Sequence, residues 1–264
     1  MADVIIRDML PEDEYFVGTC SHTNESEETD AAGRRRIKVL LDLVEKGGVM
    51  KTALLAGEPV GFAHGVPIER SSWGPIGRDL MVLPCLYVLN RAAKKGIGRQ
   101  LMEAIEENAR AAGKLGIALM GFRDFPGAEW LLPVSFFEHL GYVEVENRGR
   151  YTLLWKPFSE AAEPPALLDP TYAFEPIRGK VVVDLFFNDF CQTSSIEAQR
   201  VREVIDAFED RVILNEYCAD DHNVLLSCGI SRAIFVNGQE IGWGYEAPKD
   251  GIRKAIEEAL ESSS

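Results

Sequence analysis

Leu86-Tyr87-Val88-Leu89-Asn90-Arg91-Ala92-Ala93-Lys94-Lys95-Gly96-Ile97-Gly98-Arg99-Gln100-Leu101-Met102 is the stretch that decides the fold. Its apolar start predicts the end of a strand. Beyond the basic turn, Ile97, Leu101, Ile105 and Ala109 recur at four-residue steps with Met102 and Ala112 beside them, which predicts an amphipathic helix. Gly113 is placed to stop it. Strand, glycine turn and helix together suit a pyrophosphate: first-turn N–H groups are unpaired, the helix dipole is positive there, and glycine lets the backbone approach an anion. Gly96 and Gly98 supply that access, and Lys94, Lys95 and Arg99 add charge. The plainer reading is a strand-to-helix connection with solvated basic side chains. A dinucleotide fingerprint would need a third glycine where Leu101 stands, and a Walker loop would need Gly-Lys-Ser/Thr; neither is present.

Working outward, strands are expected at Val4 to Asp8, Lys51 to Ala56, Pro59 to Ile68 and Arg78 to Leu89, with a helical, acidic region between the first two. The turn signal Ala56-Gly57-Glu58-Pro59 makes the middle strands an antiparallel meander. Glu25 to Asp30 reads as a loop or a helix start. After the glycine loop and its helix come a buried strand, Gly116 to Phe122, a short helix, Val134 to Leu140, and a strand, Tyr151 to Trp155. The glycine unit is thus a crossover inside an otherwise antiparallel sheet.

Ala93-Lys94-Lys95-Gly96-Ile97-Gly98 resembles the acetyl-CoA loop of the GNAT N-acetyltransferase superfamily, Arg/Gln-x-x-Gly-x-Gly/Ala, with Ala93 in the Arg/Gln place. Phe136-Phe137-Glu138-His139-Leu140-Gly141-Tyr142 is similar to the family's late Phe-Tyr-Glu-Lys-x-Gly-Phe segment. The resemblance spans about Val4 to Lys156. It implies acetyl-CoA as co-substrate, contacted by Lys94, Lys95, Gly96, Ile97, Gly98, Arg99 and Phe137, and by the backbone of Leu86 and Val88 on a splayed strand. Pro84, which lacks an N–H, is consistent with interrupted pairing there. It also implies direct attack of an amine on the thioester, with a base and an acid. The family's usual acid, a Tyr, is replaced by Phe137, and its Asn partner by Trp130. Tyr87 and Cys85 are the candidate substitutes, and His64 and Glu69 the candidate bases; the plainer readings, which weigh more for each residue taken singly, are core residues for Tyr87 and Cys85 and a satisfied buried histidine for His64.

The stretch Glu163-Pro164-Pro165-Ala166-Leu167-Leu168-Asp169-Pro170 disfavours helix and central strand and marks a domain junction. The expected division is an acetyltransferase domain over 1–157, a linker over 158–178 and a smaller domain over 179–264. In the last, the apolar strand Lys180 to Phe187 is followed by a helix buried through Val201, Val204, Ile205 and Phe208, with Ser194 and Glu197 in a capping-box pattern. A strand, Val212 to Tyr217, an Asn237-Gly238 hairpin within Ala233 to Ile241, and a last helix using Ile252, Ala255, Ile256 and Leu260 complete it. This order resembles a thioredoxin-like fold and, after a GNAT domain, the YoaP-like domain. Cys191 precedes a helix N-terminus, where a thiol gains nucleophilicity, and is the redox candidate. Ser194 replaces the second cysteine of a Cys-x-x-Cys, and Arg232 stands where thioredoxins place a cis-proline. Cys191 could pair with Cys218 or Cys228; a redox-silent scaffold reads equally well.

The fold class is therefore α/β (α+β): a GNAT-type mixed sheet followed by a smaller thioredoxin-like domain. Over 264 residues the net charge is −14, which opposes nucleic acid as partner and suits a cationic small-molecule amine, or simply keeps the protein in solution. No basic, apolar leader opens the chain and no apolar run spans a bilayer, so a cytoplasmic protein with no membrane partner is expected. Five cysteines without framework spacing suit reduced thiols, and no zinc spacing occurs, so no metal is expected. A homodimer is left open. An acyl-CoA-binding or regulatory protein without efficient transfer, and a monothiol redox protein, are the alternatives to an N-acetyltransferase.

Overall fold

A computed structural model describes residues 3–123, 132–242 and 245–262. In chain order they form β1 (Val4–Asp8), α1 (Glu14–Gly18), α2 (Glu27–Glu45), β2 (Val49–Leu55), β3 (Glu58–Pro67), β4 (Leu80–Val88), α3 (Ile97–Ala111), β5 (Gly116–Phe122), α4 (Val134–Glu138), β6 (Val143–Arg148) and β7 (Tyr151–Pro157). The second unit adds β8 (Val181–Phe187), α5 (Gln192–Ile205), β9 (Val212–Cys218), α6 (His222–Cys228), β10 (Ala233–Val236), β11 (Gln239–Ile241) and α7 (Lys249–Ser262).

The first sheet runs β1-β2-β3-β4-β5-β7-β6, antiparallel except for the parallel β4–β5 pair. That pair is short: Leu80, Met81 and Val82 face Gly116, Ile117 and Ala118, and the strands then part. The cause lies on the other edge of β4. His64 pairs with Cys85 and Val66 with Val82, so Leu83 and Pro84 together oppose Gly65 in a β-bulge. The bulge also changes which residues face which layer. Met81 and Leu83 enter the core under α3; past the bulge Leu86 and Val88 take that side, while Cys85 and Tyr87 turn toward α1 and α2.

The core under α3 joins Leu101, Met102, Ile105 and Ala109 to Ala63, Leu83, Ile117, Leu119 and Phe137. On the opposite face α2 starts at Ser26, which accepts the Thr29 N–H. The acidic Glu25 to Asp30 stretch is thus a helix start. β6, which the sequence reading lacks, is the sheet edge. The segment between the units returns to it: Arg148 donates to the Leu168 carbonyl and Asp169, and Glu146 accepts the Leu167 N–H.

The second sheet runs β11-β10-β8-β9, with β8 and β9 parallel and the rest antiparallel. Its hairpin turn places Asn237 at φ 47° and Gly238 at φ 79°, the left-handed pair a two-residue turn requires. The capping-box reading of Ser194 and Glu197 is corrected. α5 starts at Gln192 with Cys191 as N-cap, so Ser194 lies inside the helix and accepts the Asn188 N–H. Glu197 is drawn instead to Arg232 and to the Ala247 N–H.

The two units pack through α2 and α5. Arg35 donates to Ser195 Oγ at 2.8 Å, and Arg200 pairs with Glu28 at 2.6 Å. Ser72 donates to Asp220, and His222 meets the Ser71 carbonyl. Phe190 of the second unit enters the core of the first, edge-on to His64 and beside Arg36. Truncating this 4%-exposed ring, Phe190→Ala, should cost about 3–5 kcal/mol in urea denaturation of the whole chain. An unchanged midpoint would show that this docking contributes nothing.

Candidate active site

α3 has Gly96 as its N-cap, at φ 77°, where a side chain would be strained. The first helical bond runs from Gln100 N–H to the Gly96 carbonyl, so the amides of Ile97, Gly98 and Arg99 precede the helix's own hydrogen bonding and point outward. Lys94 also takes a left-handed conformation, at φ 60°. A Cβ on Gly98 would lie 3.2 Å from the Phe136 ring, so this glycine also lets α4 close over the loop.

The strand before the loop has one free edge. Past Val82 no residue of β4 pairs with β5. The Leu89 N–H donates to the Val60 carbonyl on the β3 side. Peptide groups alternate along a strand, so those of Leu86 and Val88 face the open side toward β5. The structure therefore sets an open strand edge next to an N-terminal helix turn, an arrangement fit for an extended ligand ending in a pyrophosphate.

Phe137 is placed differently from the sequence expectation of a cofactor contact. It is 0% exposed and packs edge-on between Phe136 and Tyr142 in the α3 core. Nor does Tyr142 replace the missing hydroxyl: it donates to Glu106, which Lys156 holds at 2.8 Å, and burial raises its pKa well above the usual range. Trp130 lies outside the described residues.

Glu69 sits beyond the end of β3, beside the start of β4 and thus at the opposite end of that strand from the glycine loop. There it accepts the Asp79 N–H and meets Lys114 at 3.4 Å, so it is separated from the loop as well as occupied. A cavity of about 510 Å³ beside it is lined by Arg78, Glu163, Pro164 and His222.

His64, Cys85 and Tyr87 are brought together on the α2 side, around a residue the sequence reading does not single out. Arg36, 2% exposed, donates to the Val17 carbonyl at 3.0 Å, to His64 Nε2 at 3.1 Å and toward the Cys85 sulfur at 3.8 Å. Its Nε has no partner. Ala32, Arg36 and Leu40 lie four residues apart on the buried face of α2; an arginine inside an apolar stripe is the sequence signal that marks it. His64 stacks on Phe62 at 5.1 Å, and burial, then Arg36, hold its pKa well below the usual value. Its Nε2 already accepts from Arg36, so it is a neutral structural imidazole and not a poised base. Tyr87 is half-buried, with its ring 5.9 Å from Phe62.

Cys20, at the turn after α1, joins this group. Coupling to the Cys85 thiol, helped by Arg36 against the opposing effect of burial, lowers the Cys20 thiol to about 5. The Cys85 thiol is correspondingly raised, by Cys20 and by burial. Cys191, the N-cap of α5, donates its backbone N–H to Asn188 Oδ1. Cys218 contacts Asp220 instead, and Cys228 meets Ser227. Among the described residues no cluster of His, Cys, Asp and Glu could hold a metal ion.

The depressed His64 pKa means that the unfolded chain binds a proton the native one refuses. That contribution to stability is whole above the free histidine value of about 6.5 and falls as pH drops below it, by up to about 1.4 kcal/mol per pH unit. His64→Gln, which can still accept from Arg36, should flatten the denaturation free energy between pH 6.5 and 5 relative to wild type. Parallel pH profiles would refute the assignment.

Residues 48–144 match the family model of the acetyltransferase (GNAT) domain. No curated protein matches the chain in sequence. Among solved structures it is similar to the PaiA N-acetyltransferase of Thermoplasma acidophilum in complex with coenzyme A, at 17% identity over 59% of this chain and 99% of that one, TM-score 0.44. YncA of Salmonella typhimurium, solved with its cofactor acetyl-CoA, shows 17% identity over 61% and 97%, TM-score 0.46. An acetyltransferase from Thermus thermophilus shows 18% over 60% and 100%, TM-score 0.45. Within the first unit, then, it is residues 48–144 that are similar to the acetyltransferase (GNAT) domain.

Proposed function

We propose that the chain is an acetyl-CoA-dependent N-acetyltransferase acting on a small-molecule amine, and that acetyl-CoA lies in the opening between β4 and β5. The observation that carries this reading is the unpaired β4 edge running directly to the outward amides of Ile97, Gly98 and Arg99. The pyrophosphate sits on that turn, with Lys94, Lys95 and Arg99 adding charge. The peptide groups of Leu86 and Val88 pair with the pantetheine arm, which brings the thioester to the parted strands. The amine nitrogen attacks the acetyl carbonyl, the C–S bond breaks, and the coenzyme A thiolate takes a proton as it leaves.

Tyr87 is the best-placed donor of that proton. It lies on the strand that delivers the thioester, whereas Phe137 has no hydroxyl and the Cys85 thiol is raised by Cys20 and by burial, which makes it a poor donor. Neither Glu69 nor His64 is available as a base, so the amine is deprotonated on the way in or by solvent. The chain's acidity supports a cationic amine. A parallel pair, β8 and β9, bridged by α5 and flanked by an antiparallel hairpin supports reading residues 179–264 as a thioredoxin-like unit that walls the α2 side. In that reading a redox-silent role for the fold and a nucleophilic role for Cys191 differ in the rate at which Cys191 is alkylated.

Calorimetric titration should show acetyl-CoA binding to the wild-type chain and a loss of at least tenfold in affinity for Lys95→Ala/Arg99→Ala, with Gly98→Glu weaker still. Equal affinities would sink the loop assignment. Tyr87→Phe should lower turnover with an amine library by about 10²-fold or more while leaving acetyl-CoA binding in place. Normal turnover in that variant removes Tyr87 as the acid. The fully buried Phe137 also favours a second reading, an acyl-CoA-binding protein without efficient transfer; no release of free coenzyme A with any amine would support it.

A further inference from the structure

The acetyl-transfer reading uses the end of β4 that runs into the glycine loop and leaves unused the cavity at its other end. This cavity, of about 510 Å³, lies where three parts of the chain meet: the loop between β3 and β4 with Ile76 and Arg78, the connecting segment with Glu163 and Pro164, and α6 with His222 and Leu226. Both units therefore wall it. Hydrogen bonds fix the walls to one another. Ile76 and Ala166 exchange backbone bonds of 2.9 and 3.0 Å, Ser72 donates to Asp220 at 2.6 Å, and His222 Nδ1 lies 2.8 Å from the Ser71 carbonyl. At the end of the loop Glu69 accepts the Asp79 N–H at 2.7 Å. Gly77 lets the loop close on the connecting segment, since a Cβ there would lie 3.0 Å from Ile68 and 3.7 Å from Pro165.

The polar lining of this cavity is unfinished. Arg78 and Glu163 are exposed and oppositely charged, and among the described residues they pair neither with each other nor with any other side chain. His222 is committed at one nitrogen only: a carbonyl can only accept, so Nδ1 carries the proton and Nε2 is left as an acceptor. Ile76, Pro164 and Leu226, the last 46% exposed, supply apolar surface. We propose that the cavity binds a zwitterionic, apolar dipeptide, with its carboxylate on the Arg78 guanidinium, its ammonium on Glu163 and its side chains against Ile76, Pro164 and Leu226. The volume exceeds what a single amino acid fills and falls among those of sites for larger small molecules. A guanidinium offers a carboxylate two parallel N–H donors, and a carboxylate accepts from an ammonium, so both ends of the ligand are read by charge-assisted bonds. Because the walls come from both units, the occupant favours their docked arrangement and its affinity appears as added stability of the whole chain.

Isothermal titration of the full chain with leucyl-leucine should give saturable binding with a dissociation constant below about 1 mM, and excess peptide should raise the thermal midpoint. Two blocked probes read the two ends: leucyl-leucine amide has no carboxylate, and N-acetyl-leucyl-leucine has no ammonium. Each should bind the wild-type chain at least tenfold more weakly than the free dipeptide. Arg78→Ala should lose at least tenfold in affinity for leucyl-leucine and no longer distinguish it from the amide. Glu163→Ala should lose as much and no longer distinguish it from the N-acetyl form. Neither side chain has a partner among the described residues, so both variants should keep the wild-type urea midpoint, and their loss of binding is then not loss of fold. Lys95→Ala/Arg99→Ala, at the other end of β4, should bind the dipeptide as wild type does, which separates this site from the acetyl-CoA loop. Absence of saturable binding, equal affinity for free and blocked peptides, or unchanged affinity in Arg78→Ala and Glu163→Ala would each overturn the proposal.

Discussion

Two residues against one, Leu83 and Pro84 opposite Gly65, is the constraint on which the rest of the first unit depends. A regular strand would carry Cys85 and Tyr87 into the α3 core in sequence with Met81 and Leu83. The inserted residue reverses the alternation and bends β4 away from β5. Pro84 adds nothing to a ladder because it has no N–H, and Gly65 leaves room for the crowding that results: a Cβ there would lie 3.1 Å from Ile105 and 3.2 Å from Met81. The opening between β4 and β5, the backbone edge of Leu86 and Val88, and the thiol group beneath α2 all follow from that one irregularity.

Much of this architecture is legible in the sequence because local and tertiary demands agree. Gly116-Ile117-Ala118-Leu119-Met120-Gly121-Phe122, apolar and glycine-bounded, is buried over most of its length and ends as read. The stripe Ile97, Leu101, Ile105 and Ala109 is the buried face of α3. Where the two demands diverge, the reading falls short. β6 interleaves Val143 and Val145 with Glu144 and Glu146 and is half-exposed as an edge strand, so its signal is weak. α6 is seven residues long and sits below the length at which periodicity speaks. Ser194 and Glu197 have capping-box spacing, but partners from distant parts of the chain claim both side chains.

The site is less readable than the fold for a related reason. The glycine loop is a local pattern whose backbone function survives substitution at Ala93. Arg36, Cys20, Cys85 and Cys191 lie on four separate elements, and no spacing in the chain links them. His64 and Glu69 look similar in sequence as candidate bases, five residues apart; the fold buries one against a guanidinium and sends the other to the far end of β4. Such distinctions arise from burial and partner identity, which only the packed structure supplies.

The crossing from the first unit to the second has a protective consequence. β6 ends the seven-stranded sheet, and an open edge strand offers its peptide groups to any other chain that can pair with them. Here the connecting segment lies along that edge, clipped by Arg148 to Leu168 and Asp169 and by Glu146 to Leu167. The connection is therefore a guard as well as a tether. A fragment ending at β7 would retain every element of the first unit and yet expose a bare edge strand, making self-association the cost of separating the two units.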